Sequence, residues 1–135
     1  MYRQWISFGL LIVLFTTLFP IEKLAMERTD EEIFSERMEL YKLFNNVYVP
    51  WYFIAAIDQY ERNIQEVRSD MPKREGTVAI QFSNEFWVGE LNPNKEDTSP
   101  ISIQYFGGYG QDGNGDGIAD LNQDQDVVLT IASYL

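Results

Sequence analysis

The chain has 135 residues, the length of one ordinary domain, and its 45% hydrophobic and 15% aromatic content indicates a packed core rather than disorder. It contains no cysteine and no histidine, which excludes disulfides, thiolate metal sites and the usual zinc ligand, so any catalysis rests on carboxylates, hydroxyls or lysine. The net charge of −11 disfavours nucleic acid as a partner.

The N-terminus is an apolar segment. Arg3 precedes an uncharged run at residues 5–19, slightly shorter than the ~20 residues that span a bilayer core. We expect residues 1–21 to be an uncleaved anchor that places the protein in the cell membrane as a single-pass protein, with its domain (30–135) on the extracytoplasmic side and residues 22–29 as a linker. A secretory signal peptide is the alternative, but "TTLFPIEKLAM" offers no small-residue cleavage site.

The stretch "TDEEIFSERMELYKLFNN" predicts the first helix of the domain. Thr29 and Glu32 have the spacing of a capping box, and two asparagines end the pattern. Phe34, Met38 and Tyr41 form one apolar row at helical spacing. We therefore expect this helix to pack through that row.

The next stretch, "VPWYFIAAIDQYERNI", predicts a second helix, with Pro50 in its first turn. Its apolar stripe follows steps of three and seven: Ile54, Ile57, Ile64. Glu61 occupies the missing place in that stripe, so we expect it on the buried face, with Asp58 and Arg62 pointing elsewhere. A carboxyl against apolar surface has a raised pKa and suits the general acid of glycoside cleavage. From helix phase alone, a glutamate at the helix edge that reaches solvent is the stronger reading.

This second helix resembles the catalytic helix of lysozyme-like lytic transglycosylases. In that family a proline opens the helix, an l-x-A-I stretch packs inward and the catalytic glutamate follows, which implies Glu61 as the catalytic residue. Arg62 stands where the family usually has serine, and the family's Gly-Leu-Met-Gln type stretch is not recognisable. Other acidic residues are expected to be surface charges: Asp58, Glu66, Asp70, Glu75.

Two aromatic stretches are candidates for sugar binding. "NEFWVGELNP" places Trp87 among amide and glycine residues, and "YFGGYGQDG" places Tyr105 and Tyr109 among three glycines. Aromatic rings stack on the apolar faces of sugars, and glycine allows close approach of the backbone. For Trp87 a position in the core is the stronger alternative, whereas the flexible glycine stretch favours a functional role for the two tyrosines.

The acidic stretch "DGNGDGIADLNQDQD" has the spacing of a calcium loop. An EF-hand loop takes ligands at positions 1, 3, 5, 7 and 9, with glycine at 6 and a glutamate at 12. Counting from Asp112 places Gly117 at the sixth position and Gln123 at the twelfth. The predicted ligands of one Ca²⁺ ion are oxygen donors: Asp112, Asn114, Asp116, the carbonyl of Ile118, Asp120 and Asp126. A hard cation prefers such ligands, and the alternative is a solvated Asp/Gly linker.

The same stretch resembles the longer EF-hand-like loop of B-type membrane-bound lytic murein transglycosylases. Their closing aspartate lies fourteen residues after the first ligand and opens a helix of the type D-A-I-x-S-x-x-x-Y-L. Asp126 has that spacing, and "DVVLTIASYL" continues in the same style. The resemblance implies Asp126 as the closing ligand in place of Gln123.

Anchor, helix and loop together resemble the front region of membrane-anchored L-Ala–D-Glu cell-wall endopeptidases of endospore-forming bacteria. We therefore expect a mainly α, lysozyme-like domain with a calcium loop, truncated at its C-terminus, whose partner is the peptidoglycan glycan strand. The first hypothesis is a hydrolase module that cleaves glycan with Glu61 alone. The alternative is a non-catalytic module that binds peptidoglycan for a zinc peptidase domain, which this histidine-free chain cannot itself be.

Overall fold

A computed structural model describes residues 28–45 and 49–135 of the chain. Within these residues there are five helices and no β-strand. The helices are α1 (Asp30–Leu43), α2 (Trp51–Val67), α3 (Asn84–Val88), α4 (Pro100–Tyr105) and α5 (Asp124–Tyr134). The predicted helical class is thus confirmed for the described part of the chain.

The start of α1 is fixed by the predicted capping box. The Thr29 hydroxyl accepts a hydrogen bond from the Glu32 backbone N–H, and the Glu32 carboxylate accepts one from the Thr29 N–H. This second bond lowers the pKa of Glu32. Of the predicted apolar row, Tyr41 is buried and Met38 packs against the core, but Phe34 is 56% exposed.

The core forms where α1, α2 and α5 contact one another. Ile54 of α2 is fully buried, and α5 contributes the adjacent pair Val127 and Val128. The short helices α3 and α4 contact each other, and α3 adds the buried Trp87. Apolar burial of this kind contributes roughly 25 cal/mol per Å², so these side chains supply the main driving force for folding.

A segment without regular structure, residues 68–83, connects α2 to α3 and passes between α2 and the start of α5. Its carbonyl groups are bound by α2, since Gln65 donates to the Ala79 oxygen (2.7 Å) and Arg62 to the Thr77 oxygen (3.0 Å). Its N–H groups are bound from both helices, since Asp124 of α5 accepts from Thr77 (2.9 Å) and Asp58 of α2 accepts from Ile80 (3.2 Å). We call this segment the strap, and its backbone polar groups are paired from both sides.

The predicted membrane anchor at residues 1–21 and most of the predicted linker at 22–29 lie outside the described residues. In the part of the chain that the structure describes, no helix has both the length and the apolar character needed to cross a bilayer.

Candidate functional site

The acidic loop between α4 and α5 folds around its own aspartates. The Asp112 carboxylate accepts hydrogen bonds from three backbone N–H groups, those of Gly115 (2.7 Å), Asp116 (3.2 Å) and Gly117 (2.7 Å). Asp116 in turn accepts from the N–H of Ile118 at 2.8 Å. Gly115 and Gly117 have φ of 79° and 88°, a conformation that favours glycine. The sharp turn predicted at Gly117 is therefore present.

Asp126 closes this loop from the first turn of α5. Its carboxylate is fully buried and accepts from the N–H groups of Gly113 and Asp120, both at 2.8 Å, and of Asn114 at 3.3 Å. Burial raises the pKa of Asp126, the three N–H groups oppose that rise, and the Asp112 charge adds to it. The residue that the resemblance implied as the closing ligand thus joins both ends of the loop to α5.

The loop offers oxygen donors of the type that a hard cation prefers, in the sequence order of a calcium loop. Asp112 and Asp120 are partly buried, whereas Asn114, Asp116 and Ile118 are exposed. No lysine or arginine of the described residues pairs with Asp112, Asp116, Asp120 or Asp126. However, no three acidic side chains of the described residues come together closely enough to hold a metal ion. The carboxylates turn toward backbone N–H groups instead, and each retains further acceptor positions.

Glu61 lies on α2 and is partly buried. Its carboxylate makes no hydrogen bond or ion pair with any described residue. The neighbouring Arg62 does not pair with it, because the Arg62 guanidinium donates to Asp58 (3.2 Å) and to the carbonyl of Thr77. The carboxylate of Glu61 is therefore available to a ligand, as a general acid requires.

The buried face of α2 differs from the predicted one. Its fully or nearly fully buried side chains are Ile54, Asp58 and Gln65, spaced at four and seven, while Ile57 and Ile64 are only partly buried. The prediction of Asp58 as a surface charge is wrong, because that side chain is 0% exposed. Glu66, Asp70 and Glu75 are exposed, as predicted. Helix α2 turns the polar side chains of Asp58 and Gln65 inward, because the strap beside it presents backbone N–H and C=O groups that need hydrogen-bond partners.

Asp58 connects three parts of the molecule. One carboxylate oxygen accepts from the backbone N–H groups of Ala79 and Ile80 in the strap. The other accepts from the Tyr41 hydroxyl of α1 and from Arg62. Burial and the hydrogen bond to Asp58 raise the pKa of Tyr41 well above its usual value, so the phenol stays protonated and donates. This cluster of Tyr41, Asp58 and Arg62 is the buried polar centre of the fold.

The aromatic candidates fall into two groups. Trp87 is 2% exposed and donates its indole N–H to the Ala119 carbonyl (3.2 Å), so its ring offers no face to a sugar and the core alternative applies. Tyr105 is 82% exposed and Tyr109 is 47% exposed. Tyr109 stacks on Phe86 with ring centroids 4.5 Å apart. The two tyrosines thus remain candidates, and Trp87 does not.

A second, partly buried ion pair was not predicted from the sequence. Arg74 in the strap pairs with Asp124 of α5 and donates to the carbonyls of Leu121 and Asn122. Asp124 was passed over because its spacing does not match a ligand position of the predicted loop. The sequence signal is weak, because Arg74 is one of three basic residues in a segment without a regular pattern.

Comparison with known proteins shows that the chain is similar to a bacterial endopeptidase. The chain is 41% identical over 128 residues to the L-Ala–D-Glu endopeptidase of Bacillus subtilis (strain 168). The alignment covers 93% of this chain and 39% of that relative, so the chain spans about two fifths of the relative's length. No protein-family model matches the chain, and no solved structure matches it. The predicted resemblance to L-Ala–D-Glu endopeptidases is confirmed, whereas the resemblance to lytic transglycosylases stays a prediction.

Proposed function

We propose that this chain is a cell-wall module that acts on the glycan strand of peptidoglycan with Glu61 as its single acid and base. The observation that carries the proposal is the partly buried carboxylate of Glu61 on helix α2, which makes no hydrogen bond or ion pair with another described residue. The similarity to an L-Ala–D-Glu endopeptidase supports the cell wall as the place of action, since that peptide linkage belongs to peptidoglycan. The zinc peptidase domain that the resemblance implies for such endopeptidases needs histidine ligands, and this chain contains no histidine.

In the proposed mechanism the protonated Glu61 carboxyl gives its proton to the glycosidic oxygen as the bond to the sugar carbon breaks. The acetamido group of the substrate's own sugar assists from the opposite side, so a second protein carboxylate is not required. The Glu61 carboxylate then takes a proton from a hydroxyl, of water or of the sugar itself, whose oxygen bonds to the same sugar carbon as the bond to the acetamido oxygen breaks. Arg62 does not pair with the Glu61 carboxylate, because its guanidinium donates to the Asp58 carboxylate and to the Thr77 carbonyl.

A non-catalytic binding module is the second candidate. It is favoured by the position of the surface grooves, because Glu61 is absent from the residues lining three prominent grooves of the described part. One of these grooves is lined by Tyr109 and the glycines beside it. In this reading the chain holds peptidoglycan for a peptidase supplied by a further domain.

The experiment that separates these candidates is digestion of purified peptidoglycan by the purified full-length chain. Release of soluble sugar fragments, identified by mass spectrometry, is the expected result. If the chain sediments with peptidoglycan but releases nothing, the binding module is correct. If it neither cleaves nor sediments with the polymer, both candidates fail.

We also propose that the acidic loop binds one Ca²⁺ ion through Asp112, Asn114, Asp116, the carbonyl of Ile118, Asp120 and Asp126. The metal would neutralise carboxylates that have no basic partner among the described residues and would join the loop to α5. Its role is structural, and no step of the sugar chemistry passes through it.

Calcium is expected to raise the melting temperature of the protein, whereas magnesium and chelator are not. A metal that binds only the folded state adds RT ln(1 + [L]/Kd), or about 2.7 kcal/mol at a hundredfold excess over Kd. Thermal melts of the wild type, of Asp116→Ala and of Glu75→Ala measure the effect. The rise should disappear in Asp116→Ala and persist in Glu75→Ala, whose exposed carboxylate lies outside the loop. A wild-type melt that does not respond to millimolar calcium rules the site out.

For residues 1–21 we propose a membrane anchor. Full-length protein expressed in a bacterium is expected to sediment with membranes, to resist carbonate extraction and to keep its N-terminal Met-Tyr-Arg. N-terminal sequencing of the membrane fraction checks this, and a mature start near Ala25 would identify a cleaved signal peptide instead.

A further inference from the structure

Arg37 lies on the buried side of α1 and has no acidic partner. Three residues one helical turn away from it, Ile33, Leu40 and Tyr41, are partly or fully buried, and Arg37 is itself partly buried on the same side. It makes no ion pair with any described residue. Its guanidinium lies over the Phe34 ring, 5.8 Å from the ring centroid. Since arginine is seldom buried unless it is paired, this position calls for an anion.

The acidic residues nearest to Arg37 are engaged elsewhere. Glu36 and Glu39 of α1 each pair with another basic residue of the described chain. Across the helix contact, the Asp58 carboxylate pairs with Arg62 at 3.2 Å. The chain has a net charge of −11, yet none of its described carboxylates neutralises Arg37.

Arg62 of α2 provides a second positive charge close to the same point. Burial raises the pKa of Tyr41 most, and the charges of Arg37 and Arg62 both oppose that rise, so both guanidinium groups lie near the phenol. The Nε atom of each arginine is enclosed by protein and has no hydrogen-bond acceptor. Such unsatisfied donors indicate a place for an ion or a ligand. Asp58 balances one of the two charges, and the other remains.

The geometry and charge of this arginine pair, Arg37 and Arg62, select the kind of ligand. A guanidinium group is a planar fork of donors that fits the two oxygens of a carboxylate. One unbalanced positive charge suits a monovalent anion better than a divalent one, and the negative charge of the whole chain repels strongly anionic ligands. The Phe34 ring beside Arg37 is 56% exposed and offers apolar surface next to the charge.

We propose that the arginine pair binds the carboxylate of a ligand with one negative charge and an apolar group beside it, such as the chain end of a peptide. The carboxylate accepts hydrogen bonds from the Arg37 guanidinium, Arg62 adds its positive charge, and Phe34 contacts the apolar group. This site goes beyond the proposed cleavage of glycan, because it requires neither the Glu61 carboxyl nor the acidic loop.

The test is a titration of the full-length chain, held in a non-ionic detergent, with N-acetyl-L-alanine and followed by nuclear magnetic resonance. The Nε–H signals of Arg37 and Arg62 should shift and saturate. The signal of Arg68, an exposed arginine that pairs with Asp70, should not shift. The amide of N-acetyl-L-alanine, which has no charge, should leave all three signals unchanged. Acetate, a free acid with a smaller apolar group, should bind more weakly, and equal affinity for acetate would contradict the contact with Phe34.

Arg37→Gln should weaken the binding of N-acetyl-L-alanine at least about tenfold, the effect of losing a hydrogen bond from a charged donor. Arg68→Gln is the matched control, because it removes the same charge from an exposed position and should keep the wild-type affinity. Without ligand, the melting temperature of Arg37→Gln should equal or exceed that of the wild type, since the change removes an unpaired, partly buried charge. A purely structural arginine would lower the melting temperature when replaced.

Four outcomes contradict the proposal. The first is no saturable shift of the Arg37 signal at high millimolar N-acetyl-L-alanine. The second is equal affinity of Arg37→Gln and the wild type. The third is tighter binding of inorganic phosphate than of N-acetyl-L-alanine at equal ionic strength. The fourth is a shift of the ligand-free Arg37 signal in Glu61→Gln, which would show that Glu61 already neutralises Arg37. A chain that cleaves peptidoglycan but shows no shift would contradict this site and leave the proposed function standing.

Discussion

Replacing Asp58 with alanine is expected to destabilise the protein by about 3–5 kcal/mol, the cost of removing one partner from a buried ion pair. The change leaves the Tyr41 hydroxyl and the strap N–H groups of Ala79 and Ile80 without their acceptor. Each buried polar group without a partner carries a penalty of roughly 1–3 kcal/mol. Arg62 keeps only its bond to the Thr77 carbonyl.

Urea unfolding followed by circular dichroism measures this free energy of unfolding. Asp70→Ala is the control, because Asp70 also pairs with an arginine, Arg68, but both side chains are more than half exposed. Such exposed pairs contribute little to stability, because solvent screens the two charges. Tyr41→Phe should give an intermediate loss, since it removes a single hydrogen bond. A loss below about 1 kcal/mol for Asp58→Ala would show that the cluster does not hold the strap.

Carboxylates organise the backbone throughout the described chain, which gives its acidity a structural role. Asp58 binds the strap, Asp124 binds Arg74 and the strap, and Asp126 binds the acidic loop. Asp97 accepts from Ser102, Asn92 and the N–H of Ser99, and the Ser102 bond makes the largest contribution to lowering its pKa. Many residues of this fold lie in connecting segments, where no helix pairs the backbone N–H groups. Aspartate side chains accept hydrogen bonds from these N–H groups instead.

Three of the five described helices, α1, α2 and α5, were predictable because their signals are local. Thr29 and Pro50 lie immediately before α1 and α2, and the apolar residues before Leu135 lie within α5. The burial of Asp58 was not predictable, because its partners lie 17 to 22 residues away in the chain. Hydrophobic periodicity does not predict a buried carboxylate. The burial of Asp58 follows only from the strap, whose N–H groups need an acceptor.

The candidate site also combines features that the sequence predicted with features that only the structure shows. The structure turns sharply at Gly117 and joins the loop to α5 through Asp126, the residue that the resemblance implied, while calcium binding by this loop stays a prediction. Helix phase placed Glu61 on the buried face and the resemblance implied its catalytic role, and the structure adds that its carboxylate makes no hydrogen bond or ion pair with another described residue. The aromatic stack of Phe82, Phe86 and Tyr109 could not be read from the sequence, because it joins residues from two separate segments.

Replacing Glu61 with glutamine is expected to lower the rate of peptidoglycan cleavage about 10²–10⁴-fold, the usual contribution of a general acid. Glutamine keeps the size of the side chain but has no proton to give to the glycosidic oxygen. The melting temperature should hardly change, because the Glu61 carboxylate makes no hydrogen bond or ion pair with any described residue. Release of soluble fragments from peptidoglycan measures the rate, and a thermal melt measures the stability.

Glu66→Gln is the matched control, since Glu66 lies on the same helix, is exposed and loses the same charge. It should retain the wild-type rate, which separates the chemistry of Glu61 from a change in net charge. Sedimentation with peptidoglycan should be unaltered in both variants, because Glu61 does not line the groove that holds Tyr109. A Glu61→Gln protein that cleaves as fast as the wild type would assign the acid to another residue. An active wild type and an inactive, fully folded, polymer-binding variant would establish Glu61 as the residue on which cleavage depends.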